Sequence, residues 1–316
     1  MALDIFPNAE EIEFKEKFIE RYSNITDWQE FKRYSLSFLR KSIRVNTLKS
    51  STDEIKKRLS PDWRLERIPW CKEGFWIKGD RRDIGNLKEH SLGYIYVQEA
   101  ASMIPPIVLD PKPGEIVLDI AAAPGSKTTQ IAQYMENKGI IVANDVAHDR
   151  LASLGVNVQR CGVTNAVLTM KRGQQIKNIE FDKILVDAPC SGTGTIRKSV
   201  KTVYTWNPDM VKRMAAEQKK LICHAFSLLK EGGTMVYSTC TMEPDENEGV
   251  IDFFLSKNED ARIMPIKLNI KRSEPITEFE GNQYNPEVKK CLRIWPQDND
   301  SEGFFVCKII KGCLEQ

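Results

Sequence analysis

Two of the chain's eight cysteines sit where chemistry could be done. Cys190 lies in Asp187-Ala188-Pro189-Cys190-Ser191-Gly192 and Cys240 in Ser238-Thr239-Cys240-Thr241, each directly after a short apolar run that reads as a strand. Isolated cysteines are usually small buried hydrophobes, and Cys161, Cys223, Cys291, Cys307 and Cys313 are read that way. Two thiols at neighbouring strand ends, one of them beside an aspartate, suit methylation of a pyrimidine at carbon 5. That carbon is a poor nucleophile. A thiolate adding to carbon 6 pushes electron density onto it, and a second group must then help remove the carbon-5 proton. A third, such as a carboxyl group, must stabilise charge around ring N3 and the exocyclic amine. Covalent addition thus divides one inaccessible step into easier ones. A free thiol with a pKa of about 8.5 is only a few per cent ionised at neutral pH. A nearby cation is therefore needed, and Lys127 is the candidate. The residues alone leave open which thiol attacks. An adenine-N6 methyltransferase would want an aromatic ring for stacking where Cys190 stands, so that class is disfavoured.

Such groups need a scaffold that brings strand ends together. From residue 115 onward, apolar runs at 115–121, 139–145, 165–170, 183–187 and 234–239 alternate with helical stretches, one of them from about 126 to 135 and a long one from about 208 to 229. Near-continuous apolar strands alternating with helices predict a doubly wound, mostly parallel α/β sheet covered on both faces. Residues 293–295 and 304–309 read as closing strands. The turn Ala121-Ala122-Ala123-Pro124-Gly125-Ser126-Lys127-Thr128 falls between the first strand and its helix, where open α/β sheets bind ligands. It has neither the GxGxxG of a dinucleotide site nor the spacing of a P-loop. Asp145, twenty residues after Gly125, is placed to accept both hydroxyls of a ribose. A nucleoside-bearing ligand without a diphosphate is S-adenosylmethionine.

The chain has 316 residues, 41% of them hydrophobic and 28% charged, which is ordinary for a globular protein. The net charge of +2 says nothing about partners, but its distribution does. Residues 1–39 carry more acids than bases, whereas residues 40–88 carry fourteen bases against seven acids, interleaved with Trp63, Trp70, Phe75 and Trp76. That mixture suits phosphates and stacked bases, and equally a small α+β module with a tryptophan core. Near the start, Asn8 as N-cap and Glu11 at the capping-box position predict a helix presenting Phe14, Phe18, Ile19 and Tyr22 on one stripe. No CxxC pair is present, which excludes zinc ribbons, and His90, His148 and His224 are isolated; no metal is expected. With no leader-like start and only short apolar runs, a cytoplasmic protein is expected.

At this point the chain closely resembles the Nop/Sun family of RNA cytosine-C5 methyltransferases. The resemblance spans residues 40–308. It is carried by Arg44-Val45-Asn46-Thr47-Leu48-Lys49, Gly93-Tyr94-Ile95-Tyr96-Val97-Gln98-Glu99, Ala122-Ala123-Pro124-Gly125-Ser126-Lys127, both cysteine motifs, Pro244-Asp245-Glu246-Asn247-Glu248 and Glu302-Gly303-Phe304-Phe305. It implies that Cys240 is the nucleophile and that Cys190 assists proton removal or product release. Asp187 would hold the amidine edge of cytosine, with Lys127 as its positioning or electrostatic partner. It also implies cofactor contacts from Ala121, Ala122, Ala123, Pro124, Gly125, Ser126, Lys127, Asp145, Arg150 and Asp187, and an RNA-facing role for Arg40, Arg44 and Lys49. Two departures stand out. Ser126 replaces the usual glycine, which is tolerable at negative φ. Lys171 stands where an acidic adenine contact is usual.

A second basic cluster follows the Pro-Cys motif. Arg197, Lys198 and Lys201 are expected to grip phosphates beside a flipped base, whereas Lys212, Arg213, Lys219 and Lys220 read as a solvated helix face. The resulting expectation is a helical segment over 1–39, a basic α+β domain over 40–90, and a Rossmann-like methyltransferase domain over 91–316. RNA is the expected partner, transfer RNA ahead of ribosomal RNA, with the protein a monomer off the membrane. A non-catalytic RNA-binding module of the same fold is the rival from another class.

Overall fold

A computed structural model describes residues 3–80 and 83–312; Arg81 and Arg82 of the basic segment and Cys313 lie outside the described residues. The predicted start of the first helix is corrected. Ala9–Glu11 forms a single 3-10 turn, Asn8 makes no capping bond, and helix α1 begins only at Glu16, spanning Glu16–Ser23. The break lies just after the turn: Ile12 is extended (φ −85°, ψ 105°) and is buried with Phe14 in the core beneath α1 and α2, so the turn does not propagate. Helix α2, Trp28–Ser35, starts where the Asp27 side chain accepts from Glu30 N–H. Both helices bury Phe18, Tyr22 and Phe31 against Trp206, Met242 and Trp295, so residues 1–39 share a core with the C-terminal half of the chain.

The basic segment folds as an antiparallel sheet. Strands β1 (Ser42–Val45), β2 (Arg64–Arg67), β3 (Gly74–Lys78) and β4 (Ile95–Val97) lie in the order β2-β3-β1-β4, with helices α3 (Thr52–Leu59) and α4 (Lys88–Ser91). Trp63 and Phe75 belong to its core with Ile43, Ile55 and Ile77, while Trp70 and Trp76 are buried edge to face against each other. Of the two readings of this segment's aromatics, the tryptophan core is the one the fold uses.

The larger sheet contains β5 (Ile116–Asp119), β6 (Ile140–Asp145), β7 (Ala166–Met170), β8 (Phe181–Asp187), β9 (Leu229–Thr239), β10 (Ala261–Met264), β13 (Leu292–Ile294) and β14 (Phe304–Lys311), with β11 (Glu278–Phe279) and β12 (Asn282–Gln283) as a separate hairpin. Its order is β10-β14-β9-β8-β5-β6-β7, parallel from β9 to β7 and closed by antiparallel β14. Helices α5 (Ile104–Leu109), α6 (Ser126–Tyr134) and α7 (His148–Cys161) cover one face. After the short α8 (Lys201–Thr205), helices α9 (Pro208–Ser227) and α10 (Glu248–Leu255) cover the other, and α11 (Pro296–Asn299) precedes the last strand. The chain runs outward from β5 to β7 and returns to place β8 on the far side of β5. The crevice at that reversal, outside the carboxyl ends of β5 and β8, is where doubly wound sheets bind ligands. Among the described residues no helix is long and apolar enough to cross a membrane, and no cluster of three or more His, Cys, Asp or Glu side chains could hold a metal ion.

Candidate active site

Both cysteine motifs open directly from the paired ends of β8 and β9, where Asp187 sits opposite Ser238. The sulfurs of Cys190 and Cys240 are 3.4 Å apart, and both residues are half-buried. Backbone bonds hold the two loops together: Gly194 N–H donates to Cys240 O at 3.0 Å, and Gly303 N–H donates to Gly194 O at 2.9 Å. A side chain on Gly194 would meet Gly303 O at 2.4 Å and Cys240 O at 2.7 Å, so only glycine lets the three segments approach this closely. Sharing its hydrogen with Cys240, then burial, then the charges of Cys240 and Glu246 push the Cys190 thiol well above the ordinary cysteine range.

Asp187 and Lys127 complete the group. Lys127, in the first turn of α6, donates to Asp187 Oδ2 at 2.7 Å, while Ser238 Oγ donates to Asp187 Oδ1 at 2.7 Å. Lys127 is only 9% exposed. Burial works to discharge it, but the charge and hydrogen bond of Asp187 outweigh burial and raise its pKa, and Cys240 and Asp119 add to the attraction. The result is a fixed positive charge beside the thiols.

The turn after β5 lies next to this group. Gly125, at φ 104°, is the N-cap of α6, and Ser126 falls inside the helix, where φ is negative and the absence of glycine costs nothing. Asp145 ends β6 with its carboxylate against the N–H groups of Ala123 (3.2 Å) and Val146 (2.8 Å). Arg150 lies 3.3 Å from that carboxylate and donates to Ala123 O, while Asn157 donates to Pro124 O. Asn157 was not marked by the sequence; nothing in a helical asparagine signals that it braces a turn on another element. Beneath the turn, Asp119 accepts from Thr128 Oγ1 at 2.7 Å, its other oxygen has no partner, and burial lifts its pKa to about 7.

The expected RNA contacts divide. Two are corrected. Arg44 is fully buried and donates to Gln98, Gln133, Thr129 and the carbonyl of Ser126, joining the small sheet to α6. Arg197 is also buried, bonded to the carbonyls of Ser37, Phe38 and Ser301 and 2.7 Å from the Asp300 carboxylate. Neither guanidinium can reach a phosphate. Arg40 lies over the Trp76 ring at 3.8 Å and pairs with Glu66. Lys49 is exposed, with its amine on the carbonyls of Leu92 and Arg160. Lys198 and Lys201 are exposed beyond the Pro-Cys loop, and Lys212, Arg213 and Lys220 lie on the solvated face of α9. Of the other cysteines, Cys71, Cys161, Cys291 and Cys307 are buried and Cys223 is half-buried. His148 is exposed, while His90 lies against Arg160 and His224 against Ile176 O.

Residues 106–310 match the family model for 16S rRNA methyltransferase RsmB/F, and residues 14–100 match that for the N-terminal domain of 16S rRNA methyltransferase RsmF. The chain belongs to the RsmB/F methyltransferase family. Within that family it is similar to the tRNA (cytosine(49)-C(5))-methyltransferase of Pyrococcus abyssi, at 52% identity over 95% of this chain and 98% of the relative. It is also similar to ribosomal RNA small subunit methyltransferase F of Aliivibrio salmonicida, at 45% identity, spanning 87% of this chain but only 58% of that longer protein. Among solved structures, a methyltransferase homologue from Pyrococcus horikoshii superposes with a TM-score of 0.86 at 38% identity, covering 97% of this chain and all of that one. NSun6 from Pyrococcus horikoshii, solved with SFG, gives 0.82 at 25% identity, covering 95% and 99%. The fold is the Rossmann-like one of this RsmB/F enzyme group, with its N-terminal domain present.

Proposed function

We propose that this RsmB/F enzyme methylates carbon 5 of a cytosine in RNA, with transfer RNA as the substrate and S-adenosylmethionine as the methyl donor. One observation carries the reading: two half-buried thiols 3.4 Å apart beside a Lys127–Asp187 pair, at the reversal point of a doubly wound sheet. The residues present fit the donor. Ala121, Ala122, Ala123, Pro124 and Gly125 leave the turn's backbone bare, Ser126 and Lys127 open the helix beyond it, and Asp145 would accept ribose hydroxyls in place of its longer contacts to Ala147 N–H and Arg150. The unpartnered oxygen of Asp119 supplies a further acceptor under the turn. When bound, S-adenosylmethionine would supply an electrophilic methyl group.

Cys240 forms the bond to cytosine carbon 6, as the thiolate of a pair in which Cys190 holds the proton. Lys127 stabilises that negative sulfur and fixes Asp187. The Asp187 carboxyl group holds the ring N3 and amine edge while charge moves onto carbon 5. Two sulfurs this close do not ionise together. Once Cys240 is bonded to carbon its negative charge is gone, so Cys190 can release its own proton to solvent, take the carbon-5 proton as a thiolate after methyl transfer, and let Cys240 depart as the thiolate. Lys198 and Lys201, with Lys49 at the rim of the small sheet, are the cations left to contact phosphates, and residues 40–90 act as the RNA-facing unit of a monomeric, cytoplasmic enzyme.

Transfer RNA is favoured because the chain matches its tRNA-modifying relative over nearly that protein's full length. Ribosomal RNA is the second reading, because the family models carry that description. The test is incubation of the enzyme with S-adenosylmethionine and RNA containing 5-fluorocytosine. A denaturation-resistant adduct should form with the parent and with Cys190→Ala and vanish with Cys240→Ala. An adduct confined to the Cys240 variant reverses the roles, and RNA binding without any methyl transfer establishes the non-catalytic rival. Supplying transfer and ribosomal RNA separately decides between the substrates.

A further inference from the structure

Helix α1 lies more than 160 residues before either cysteine in the sequence, yet it reaches the loops that carry both. Glu243, three residues after Cys240, is fully buried and accepts from Arg21 Nε at 2.7 Å and Trp206 Nε1 at 2.7 Å. Arg21 also pairs with Asp245 and Glu280. Lys15, at the N-cap of α1, donates to the carbonyls of Tyr204 and Trp206. The Tyr22 hydroxyl lies 3.1 Å from Glu243 Oε1 and 2.6 Å from Thr193 Oγ1. From Thr193 a line of hydroxyls continues: Thr193 to Thr241 at 2.9 Å, and Thr241 to Ser191 at 2.7 Å. Met242 N–H donates to Thr193 Oγ1, and Asn247 Nδ2 donates to the Thr241 carbonyl. Thr241 follows Cys240 directly and Ser191 follows Cys190.

We infer that Tyr22 and Arg21 are positioning residues for the methylation proposed above: they terminate a buried hydroxyl and carboxylate network that sets where both thiols stand. The physical reason is that a hydroxyl chain has no orientation of its own. Each member donates one hydrogen, so the direction of the whole line is set at its end, and here that end is a phenol held against a carboxylate that Arg21 compensates. A network with every member satisfied is rigid, and one with a missing end is not. Nothing in the chain of contacts requires α1 to touch RNA.

The inference rests on the cysteine reading, so the experiment separates the two. Parent, Tyr22→Phe, Arg21→Lys and Arg21→Ala are compared for kcat, for KM toward transfer RNA, and for the rate of adduct formation with 5-fluorocytosine RNA. Alkylation of Cys240 by iodoacetamide, followed by peptide mass spectrometry, is measured alongside and needs no RNA. Tyr22→Phe keeps the ring and its packing, so it should fold as the parent does. It should lower kcat and adduct rate together by about fivefold, the scale of one lost hydrogen bond, with KM unchanged and Cys240 alkylation altered. Arg21→Lys should restore most of what Arg21→Ala loses. Unchanged kcat and alkylation in Tyr22→Phe, or a loss confined to KM, overturns the inference. Absence of an adduct in the parent overturns the cysteine reading instead, while a changed alkylation rate still places Tyr22 in control of the Cys240 loop.

Discussion

Arg44 and Lys127 are both buried cations that meet on helix α6, and they are held in opposite ways. Arg44 has only neutral partners, Gln98, Gln133, Thr129 and a carbonyl, and burial lowers its pKa without a carboxylate to offset it. Lys127 has a carboxylate, and its pKa goes up despite burial. A fully buried guanidinium whose hydrogen bonds all go to neutral protein acceptors has nothing to offer a ligand, so it serves as a bolt between the small sheet and α6. An ammonium sharing a half-exposed aspartate can redistribute its attraction when a negative sulfur or a polar ring arrives. Burial alone does not separate a structural cation from a chemical one. The nature of the partner does.

Exchanging each cation tests that contrast. Lys127→Gln should lower kcat by about two to three orders of magnitude, as for loss of a preorganised electrostatic group, with the melting temperature nearly unchanged. A comparable loss of stability with activity retained would make Lys127 a second bolt. Arg44→Met should do the reverse, costing about 3 kcal/mol through several buried acceptors left without donors, read by denaturant unfolding. Its RNA affinity should keep the parent's salt dependence, because the side chain meets no phosphate.

A pH experiment refines the electrostatics around Lys127. Burial, then the charge of Glu99, lifts the nearby Glu302 to about 8 against an ordinary value of 4.5, with Lys198, Lys127 and Arg197 pulling the other way. Its folded form therefore binds more protons than the unfolded chain between about pH 4.5 and 8, and stability from this group falls as pH rises through that window. Replacing it by Glu302→Gln should shift the difference in unfolding free energy in the variant's favour between pH 5 and pH 9, by up to about 4 kcal/mol. A difference independent of pH would place the Glu302 charge in water. The smallest effect belongs to the exposed cations. Lys198→Ala and Lys201→Ala should each reduce the slope of log affinity against log salt by somewhat under one, and unchanged slopes would remove them from the RNA surface.

The scaffold was legible because apolar runs broken by helices leave few arrangements other than a parallel sheet. The positions of Asp145, Asp187 and Cys240 followed, since each ends a run. Arg44 and Arg197 were misread for a physical reason: an arginine's identity gives its charge, and only the fold says whether its donors meet phosphates or carbonyls. The misplaced start of α1 has a similar source. Asn8 has the right side chain for a cap, but the burial of Ile12 in an extended conformation ends the turn after three residues. Least visible was the link from Arg21 to Glu243, a contact between residues 222 apart whose partners carry no local signature.

The glycine contact between the two cysteine loops has a further consequence for the substrate. With Gly194 wedged between the carbonyls of Cys240 and Gly303, the two cysteine loops are locked together through the main chain, and the cleft that the strand ends frame has little room to widen. A reactive centre this stiff cannot go out to meet a nucleotide stacked within a helix. The base has to leave its neighbours and travel inward, so RNA already bent or unpaired at the target will be modified fastest.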